Sequence, residues 1–405
     1  MGKLRYSKGT ERHISKLCLE IGERCVGSPG NKKATDYAAG VMREFGFQVE
    51  TPGFDCFDWE DRGSEVVVGN ESFQVFSNPY TLGGEIKAPL SAAATIEELE
   101  QVVAKGNIAF LHGQIAAEQL MPKNFTFYNP DEHRRINELL ENRGFIAVLA
   151  ATSRNPETAG GVYPFPLIED GDFNLPGAYM TDSEGERLLA VSQGQEVFLK
   201  IDTQRKPSKG YNVIGRRGEN QAERVAIMAH IDSKQGTPGA IDNATGTAVL
   251  LLLAEMLAGY NGRMMVELTA LNGEDYYSNP GEMLYLEENL DRFDQIVLGI
   301  NIDGAGYRGG SAAYSCYDCP EEVSAAARKV FDSSSVVEGE PWYQGDHGLF
   351  LYNSRPALAI TSTAMQDLLD IAHTPDDKPE IIDYDQVVEV ARTVYELLIS
   401  LSERR

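Results

Sequence analysis

Residues 225–257 read VAIMAHIDSKQGTPGAIDNATGTAVLLLLAEML, and this stretch decides the fold class. Val225–Ala229 is an apolar run of strand length, and polar His230-Ile231-Asp232 follows it. Thr245–Leu257 then reads as a helix, with Gly259 as its stop. Outward along the chain the unit repeats. Met264–Leu271, Ile296–Ile302 and Pro356–Thr361 are further apolar strands, and helices are expected at Pro320–Phe331 and Tyr384–Leu401. Near-continuous apolar strands alternating with helices predict an α/β fold, a mixed, mainly parallel sheet sandwiched by helices.

Upstream, Glu11–Glu23 has helical spacing and stops before Gly27-Ser28-Pro29-Gly30, and Asn31–Phe45 resumes the helical pattern. Between Phe57 and Gln204 the texture changes to short strand-like pieces separated by turns, with helices at Thr95–Ala104 and Pro130–Asn142. The expected organisation is therefore one domain from 1–56 and 205–405, with a smaller α/β module, 57–204, inserted.

With 36 Lys and Arg against 61 Asp and Glu, the 405-residue chain carries a net charge of −25. A surface this acidic repels phosphate backbones and anionic membranes, so neither nucleic acid nor membrane is an expected partner. The start has no apolar signal-peptide core and no apolar run reaches membrane-spanning length, so the expected location is cytoplasmic. Five scattered cysteines form no disulfide framework.

In open α/β sheets ligands bind beyond the carboxyl ends of the strands. There the chain places His230 and Asp232, Glu274 and Asp275, Asp303, and the loop carrying His373, while Asp242 precedes the Thr245–Leu257 helix. An acid after a strand is ordinarily a cap, and a lone histidine there is ordinarily structural. Together, three carboxylates and two imidazoles without a thiolate suit a first-row divalent ion. They exceed one tetrahedral zinc and suit two metals sharing a carboxylate.

These residues resemble a known family. His230-Ile231-Asp232, Gly239-Ala240-Ile241-Asp242-Asn243-Ala244-Thr245-Gly246, Gly273-Glu274-Asp275, Asn301-Ile302-Asp303, Gly345-Asp346-His347 and His373-Thr374-Pro375 occur in the order found in the di-zinc exopeptidases. That family includes secreted bacterial leucine aminopeptidases, glutamate carboxypeptidase II, the transferrin receptor and glutaminyl cyclases. The resemblance implies a zinc aminopeptidase that hydrolyses peptide N-termini through a water bridging two zinc ions, as a monomer or a homo-oligomer. It implies His230 and Asp303 on one metal, Asp275 and His373 on the other, and Asp242 on both. Glu274 would be the general base, and Asp232 would hydrogen-bond His230. A cis peptide at Asp242-Asn243 follows from the same likeness. The middle segment, through Lys105–Phe110 and Gly144–Val148, resembles a protease-associated domain. The family usually has glutamate where Asp275 stands, and aspartate is shorter by about 1.5 Å, one C–C bond.

Two family members of other classes remain as alternatives: a glutaminyl cyclase and a non-catalytic protein of transferrin-receptor type. A carboxypeptidase would need a base for the substrate carboxylate, for which Arg308 and Arg355 are candidates. Gly304–Gly309 matches GxGxxG, but no helical pattern follows it, which argues against a dinucleotide. Cys316-Tyr317-Asp318-Cys319 is a single CxxC, expected as a local disulfide or two inert thiols. His13, His112 and His133 are expected at the surface. Tyr343 is read either as an oxyanion donor or as an aromatic packed beside Trp342.

Overall fold

Val225, Ile227 and Ala229 point to one face of their strand and Ala226, Met228 and His230 to the other, and all six are buried. A strand so covered must lie inside a layered sheet. The computed structural model describes residues 2–155 and 161–403. It divides into two compact units, Met1–Cys56 with Lys209–Arg405, and Phe57–Ser208.

The first unit is built on eight strands: β1 (Gln48–Glu50), β2 (Val213–Arg217), β3 (Asn220–His230), β4 (Met264–Leu271), β5 (Ile296–Ile302), β6 (Ala312–Tyr317), β7 (Val337–Glu338) and β8 (Ala357–Ser362). Their order across the sheet is β1-β2-β4-β3-β5-β8-β6-β7. The central β4, β3, β5 and β8 run parallel, and β2 and β6 flank them antiparallel. The main helices are α1 (Gly2–Ser15), α2 (Pro29–Glu44), α3 (Thr245–Met256), α4 (Pro280–Asn289), α5 (Glu321–Phe331) and α6 (Tyr384–Glu403). The sheet is mixed and mainly parallel, as the strand patterns predict.

Alternation along the strands assigns the two faces. Val225, Ile227 and Ala229 of β3, Val266, Leu268 and Ala270 of β4, and Leu298, Ile300 and Ile302 of β5 join one core. That core also takes α3, which is buried along its length from Thr245 to Ala254, and the inner stripes of α1, α2, α5 and α6. On the opposite face α4 lies against β4, where the Tyr285 hydroxyl donates to Glu267 at 2.6 Å. His230 of β3 and Asp303 after β5 fall on this second, more polar face by the period-two rule.

Several elements differ from the sequence reading. The first helix begins at Gly2 and continues past Ser15 as a π-helical turn, Lys16–Ile21, until Gly22 at φ +84° ends it. Strands β2 and β6 and helix α4 were not expected. β2 carries Gly215-Arg216-Arg217 and gives no apolar run, and α4 mixes apolar and acidic residues after the left-handed pair Ser278-Asn279. His13 and His133 are buried, not at the surface. Each lies on its helix's inner stripe, His13 with Thr10, Ile14 and Leu17, His133 with Ile136, Asn137 and Leu140. Tyr37 Oη lies 2.7 Å from His13 Nδ1, and the Met121 N–H donates to His133 Nδ1 at 3.2 Å. His112 is half-buried.

In the second unit, Gly84–Ala93, Ile108–Leu111, Ala147–Thr152 and Gly177–Thr181 pair in parallel. Helices Ile96–Gln101, Asp131–Asn142 and Asp182–Val191 accompany them, and two apolar clusters fill its core. Among the described residues no helix is long and apolar enough to cross a membrane.

The second face leaves no room at Gly299 of β5, where a Cβ would stand 2.1 Å from the ring of buried Phe350. Gly299→Ala should therefore cost about 1–3 kcal/mol of stability by overpacking, seen as a lower urea midpoint at unchanged slope. Adding Phe350→Leu should recover part of the loss. An unchanged midpoint in Gly299→Ala would contradict this packing.

Candidate metal centre

Parallel strands deliver their carboxyl-terminal residues to one edge, and the described structure brings His230, Asp303, Asp275 and Glu274 there from β3, β5 and β4. Asp303 N–H donates to the Ile360 carbonyl of β8 at 2.9 Å, which fixes the chain where it leaves the sheet. Asp242 arrives from the loop before α3. Two neighbours shape that loop. Asp377 accepts the Ile241 N–H at 2.6 Å with one oxygen and the Asp242 N–H at 3.1 Å with the other. Asn243 donates to the Ile302 carbonyl at 2.8 Å and accepts the Gly246 N–H at 2.9 Å, tying the start of α3 to the end of β5. The Asp242-Asn243 peptide is cis, as the resemblance implies. From behind, fully buried Arg24 donates to the carbonyls of Ile231, Pro238 and Gly239. His373 holds φ +63°, a conformation side chains other than glycine rarely adopt, and such residues cluster at functional sites.

Asp242 stands between the two imidazoles. Its Oδ1 is 2.9 Å from His230 Nε2 and its Oδ2 is 3.0 Å from His373 Nε2. Asp303 Oδ1 lies 3.8 Å from His230 Nε2, and Asp275 Oδ1 lies 2.9 Å from His373 Nε2. Two triads therefore share Asp242, His230 with Asp303 on one side and Asp275 with His373 on the other, and within each triad the donor atoms lie within 4.8 Å. In a tetrahedral zinc site with bonds near 2.0 Å, neighbouring ligand atoms stand about 3.3 Å apart. The observed separations bracket that value. His230 Nδ1 and Asp275 Oδ2 are buried without a hydrogen-bond partner, and buried polar atoms ordinarily have one. The donor set and its unfilled valences fit divalent ions.

The electrostatics agree. Burial, with the carboxylates of Asp275, Asp303 and Asp242, outweighs His230 and pushes Glu274 well above the ordinary carboxyl range. Burial likewise raises Asp303. For His230, Asp232, Asp242 and Asp303 overcome the burial that opposes its charge and raise it well above the usual imidazole value. Acids crowded this way need cationic charge beside them.

Asp232 departs from its expected role. Its Oδ1 is 3.7 Å from His230 Nδ1, too far for a hydrogen bond. Its oxygens instead accept the backbone N–H groups of Gly273 at 2.7 Å and Asp275 at 3.0 Å. It thus shapes the Glu274-Asp275 turn. The shorter Asp275 side chain still reaches His373, because this turn brings its backbone close enough. Asn272 and Asn31, neither flagged by sequence, pair their amides reciprocally at 2.8 and 2.9 Å beneath that turn.

Asp346 and His347 are buried, and none of their side-chain polar atoms has a hydrogen-bond partner. Burial pushes His347 down to about 4. Tyr343 is 76% exposed and meets Tyr317 edge-on, so it is not packed in a core. Arg308 donates to the Ile382 carbonyl, and Arg355 to the Asp294 carbonyl near the start of β5, at the far end of that strand from Asp303. Cys316 and Cys319 are free thiols. After Gly304–Gly309 comes β6 rather than a helix, which removes the dinucleotide reading.

Residues 212–398 match the sequence profile of Peptidase family M28. "Probable lipoprotein aminopeptidase LpqL" of Mycobacterium tuberculosis is 25% identical over 325 residues, 78% of this chain, and the chain spans 62% of that relative's length. Among solved structures, an aminopeptidase from Aneurinibacillus sp. strain AM-1 superposes with a TM-score of 0.74 at 19% identity, covering 97% of this chain and 93% of its own. BSAP, a zinc aminopeptidase from Bacillus subtilis, gives 0.72 at 19% identity, covering 98% and 94%. At such identities the structural likeness is one of fold. Residues 212–398 are thus similar to Peptidase family M28 in sequence profile, and its motifs stand in family order on this sheet.

Proposed function

We propose that this chain is a zinc-dependent aminopeptidase whose site holds two ions bridged by Asp242. One observation carries the reading: Asp242 turns one oxygen to His230 and the other to His373. His230 and Asp303 would hold one ion and Asp275 and His373 the other. The names of BSAP and LpqL support zinc and the aminopeptidase class. Divalent ions so held polarise a carbonyl and acidify water.

The chain's own groups supply the rest. Glu274, whose proton affinity burial raises, takes a proton from the attacking water and returns it to the leaving amine nitrogen, the ordinary work of a carboxylate tuned upward by burial. Asp377 fixes the direction of Asp242 through two backbone N–H groups, and Asp232 fixes that of Asp275 through one. A carboxylate-rich crevice favours a protonated N-terminal amine over a C-terminal carboxylate. The arginines a carboxypeptidase would use donate to backbone carbonyls, Arg355 at the far end of β5. Residues 57–208 are proposed as a protease-associated module, on the two parallel strands that carry its motifs.

Glu274→Gln keeps size but cannot accept a proton, so turnover of aminoacyl anilides should fall by roughly 10²–10⁴-fold with metal content and folding retained. Undiminished turnover would end this mechanism. Asp275→Asn offers a poorer ligand for a hard ion, and metal analysis should find one equivalent lost together with activity. Asp377→Asn turns an amide N–H₂ toward a backbone N–H, and chelator competition should show zinc affinity reduced about 10–100-fold. Unaltered affinity would remove Asp377 from the positioning role. A panel of aminoacyl anilides, N-blocked peptides and Gln-initiated peptides should give hydrolysis of the free-amine substrates, and cyclisation of the Gln peptides would favour the transferase instead.

A further inference from the structure

The polar face of the sheet that ends at His230 begins, on the same strand, at Arg224. Six residues separate them, about 20 Å of strand. Register sets Gln48 of β1 opposite Arg216 of β2, Arg216 opposite Glu267 of β4, and Arg224 of β3 opposite Met265 of β4. Residues so paired share a face, so Gln48, Arg216, Glu267 and Arg224 lie on one face across four strands. Arg216 donates from Nε to Glu267 at 2.6 Å and from Nη1 to Glu50 at 2.8 Å. Arg224 donates from Nη1 to the same Glu267 oxygen at 3.2 Å and from Nη2 to Asn289 of α4. Arg224 and Glu267 are buried, and burying charges is costly for stability alone.

Beside the row lies a cavity of about 200 Å³, lined by Gln48, Glu50, Arg216, Arg224, Arg292 and Gln295. Water occupies about 30 Å³ apiece, so a hydrated oxyanion fits. Arg224 is 3% exposed, yet its Nε–H has no hydrogen-bond partner. Among the described residues Arg292 forms no ion pair, and its side chain donates to the Glu288 carbonyl. Glu50 is the one carboxylate lining the cavity, and Arg216 holds it. Glu288, raised by burial, feels the charges of Arg216, Glu50 and Arg292. Glu267 and Glu50 hold Arg216, and Glu267 also holds Arg224 through Nη1, which leaves the Arg224 Nε–H and the Arg292 fork as the donors open to the cavity.

We propose that this cavity binds an oxyanion, a phosphate group either free or carried on a small molecule, at a site separate from the metal centre. The buried Arg224 Nε–H, the Arg292 fork and the Gln48 and Gln295 amides supply the donors. Guanidinium forks match phosphate oxygens in geometry and charge.

The test is calorimetric titration of the metal-loaded full chain with inorganic phosphate and, separately, glycerol 2-phosphate at constant ionic strength. Arg292→Gln removes an exposed donor without breaking an ion pair, and Gln48→Glu adds a carboxylate at the rim. Each should weaken phosphate binding roughly tenfold or more, the worth of one charge-assisted hydrogen bond, with anilide hydrolysis in phosphate-free buffer unchanged. Tighter binding of the ester would identify a phosphomonoester as the ligand, and tighter binding of phosphate the free ion. Undiminished binding in both variants would place the anion elsewhere, the metal centre included, and overturn the proposal. So would the absence of binding by the unaltered chain at tens of millimolar phosphate.

Discussion

Asp242 offers one carboxylate oxygen to each of two imidazoles, at 2.9 and 3.0 Å, and much of the unit serves to hold that arrangement. Its cost is electrostatic. Two carboxylates with oxygens 4.8 Å apart, the outer limit within each triad, repel by roughly 3.5 kcal/mol at an effective dielectric of 20. Asp242 has such a neighbour on both sides, Asp303 and Asp275, and whole domains are stable by only about 5–15 kcal/mol. Divalent cations turn that repulsion into the reason for the site. The chain meets the demand for rigidity through backbone donors: Asp377 takes two N–H groups of the Asp242 loop, and Asp232 takes two of the Glu274-Asp275 turn.

Legibility in the sequence follows from that division of labour. Strands buried on both faces are continuous apolar runs, so β4 and β5 could be read to the residue and β8 nearly so, whereas β3 starts at Asn220, ahead of its apolar run Val225–Ala229. Their carboxyl ends then point to His230, Asp275 and Asp303, and the motif order of the family joins Asp242, Glu274 and His373 to them. Residues that act by holding backbone were not legible. Asp377, Arg24, Asn31 and Asn272 belong to no motif that singles them out, and Asp377 is one acid among many in an acidic chain. Only the fold shows that they close on the same loops from different sides. Asp232 was legible as a member of the site, yet its partners are the Gly273 and Asp275 amides, because the turn after β4 supplies donors nearer than His230.

The sheet is polar at both ends of one face for different reasons. At the carboxyl ends the polar groups are acids and imidazoles with unfilled valences. At the amino ends they are arginines and glutamates, among them Arg224 with a buried N–H lacking an acceptor. β2 escaped sequence reading for this reason, since a strand carrying Arg216 and Arg217 gives neither a continuous nor an alternating apolar pattern.

The most direct test of the shared-carboxylate account is anomalous diffraction at the zinc edge from crystals of the zinc-loaded chain. The account predicts two peaks roughly 3.5–4 Å apart, one beside His230 and Asp303, the other beside Asp275 and His373, with one Asp242 oxygen toward each. A single peak, or two peaks with Asp242 touching only one, would contradict it.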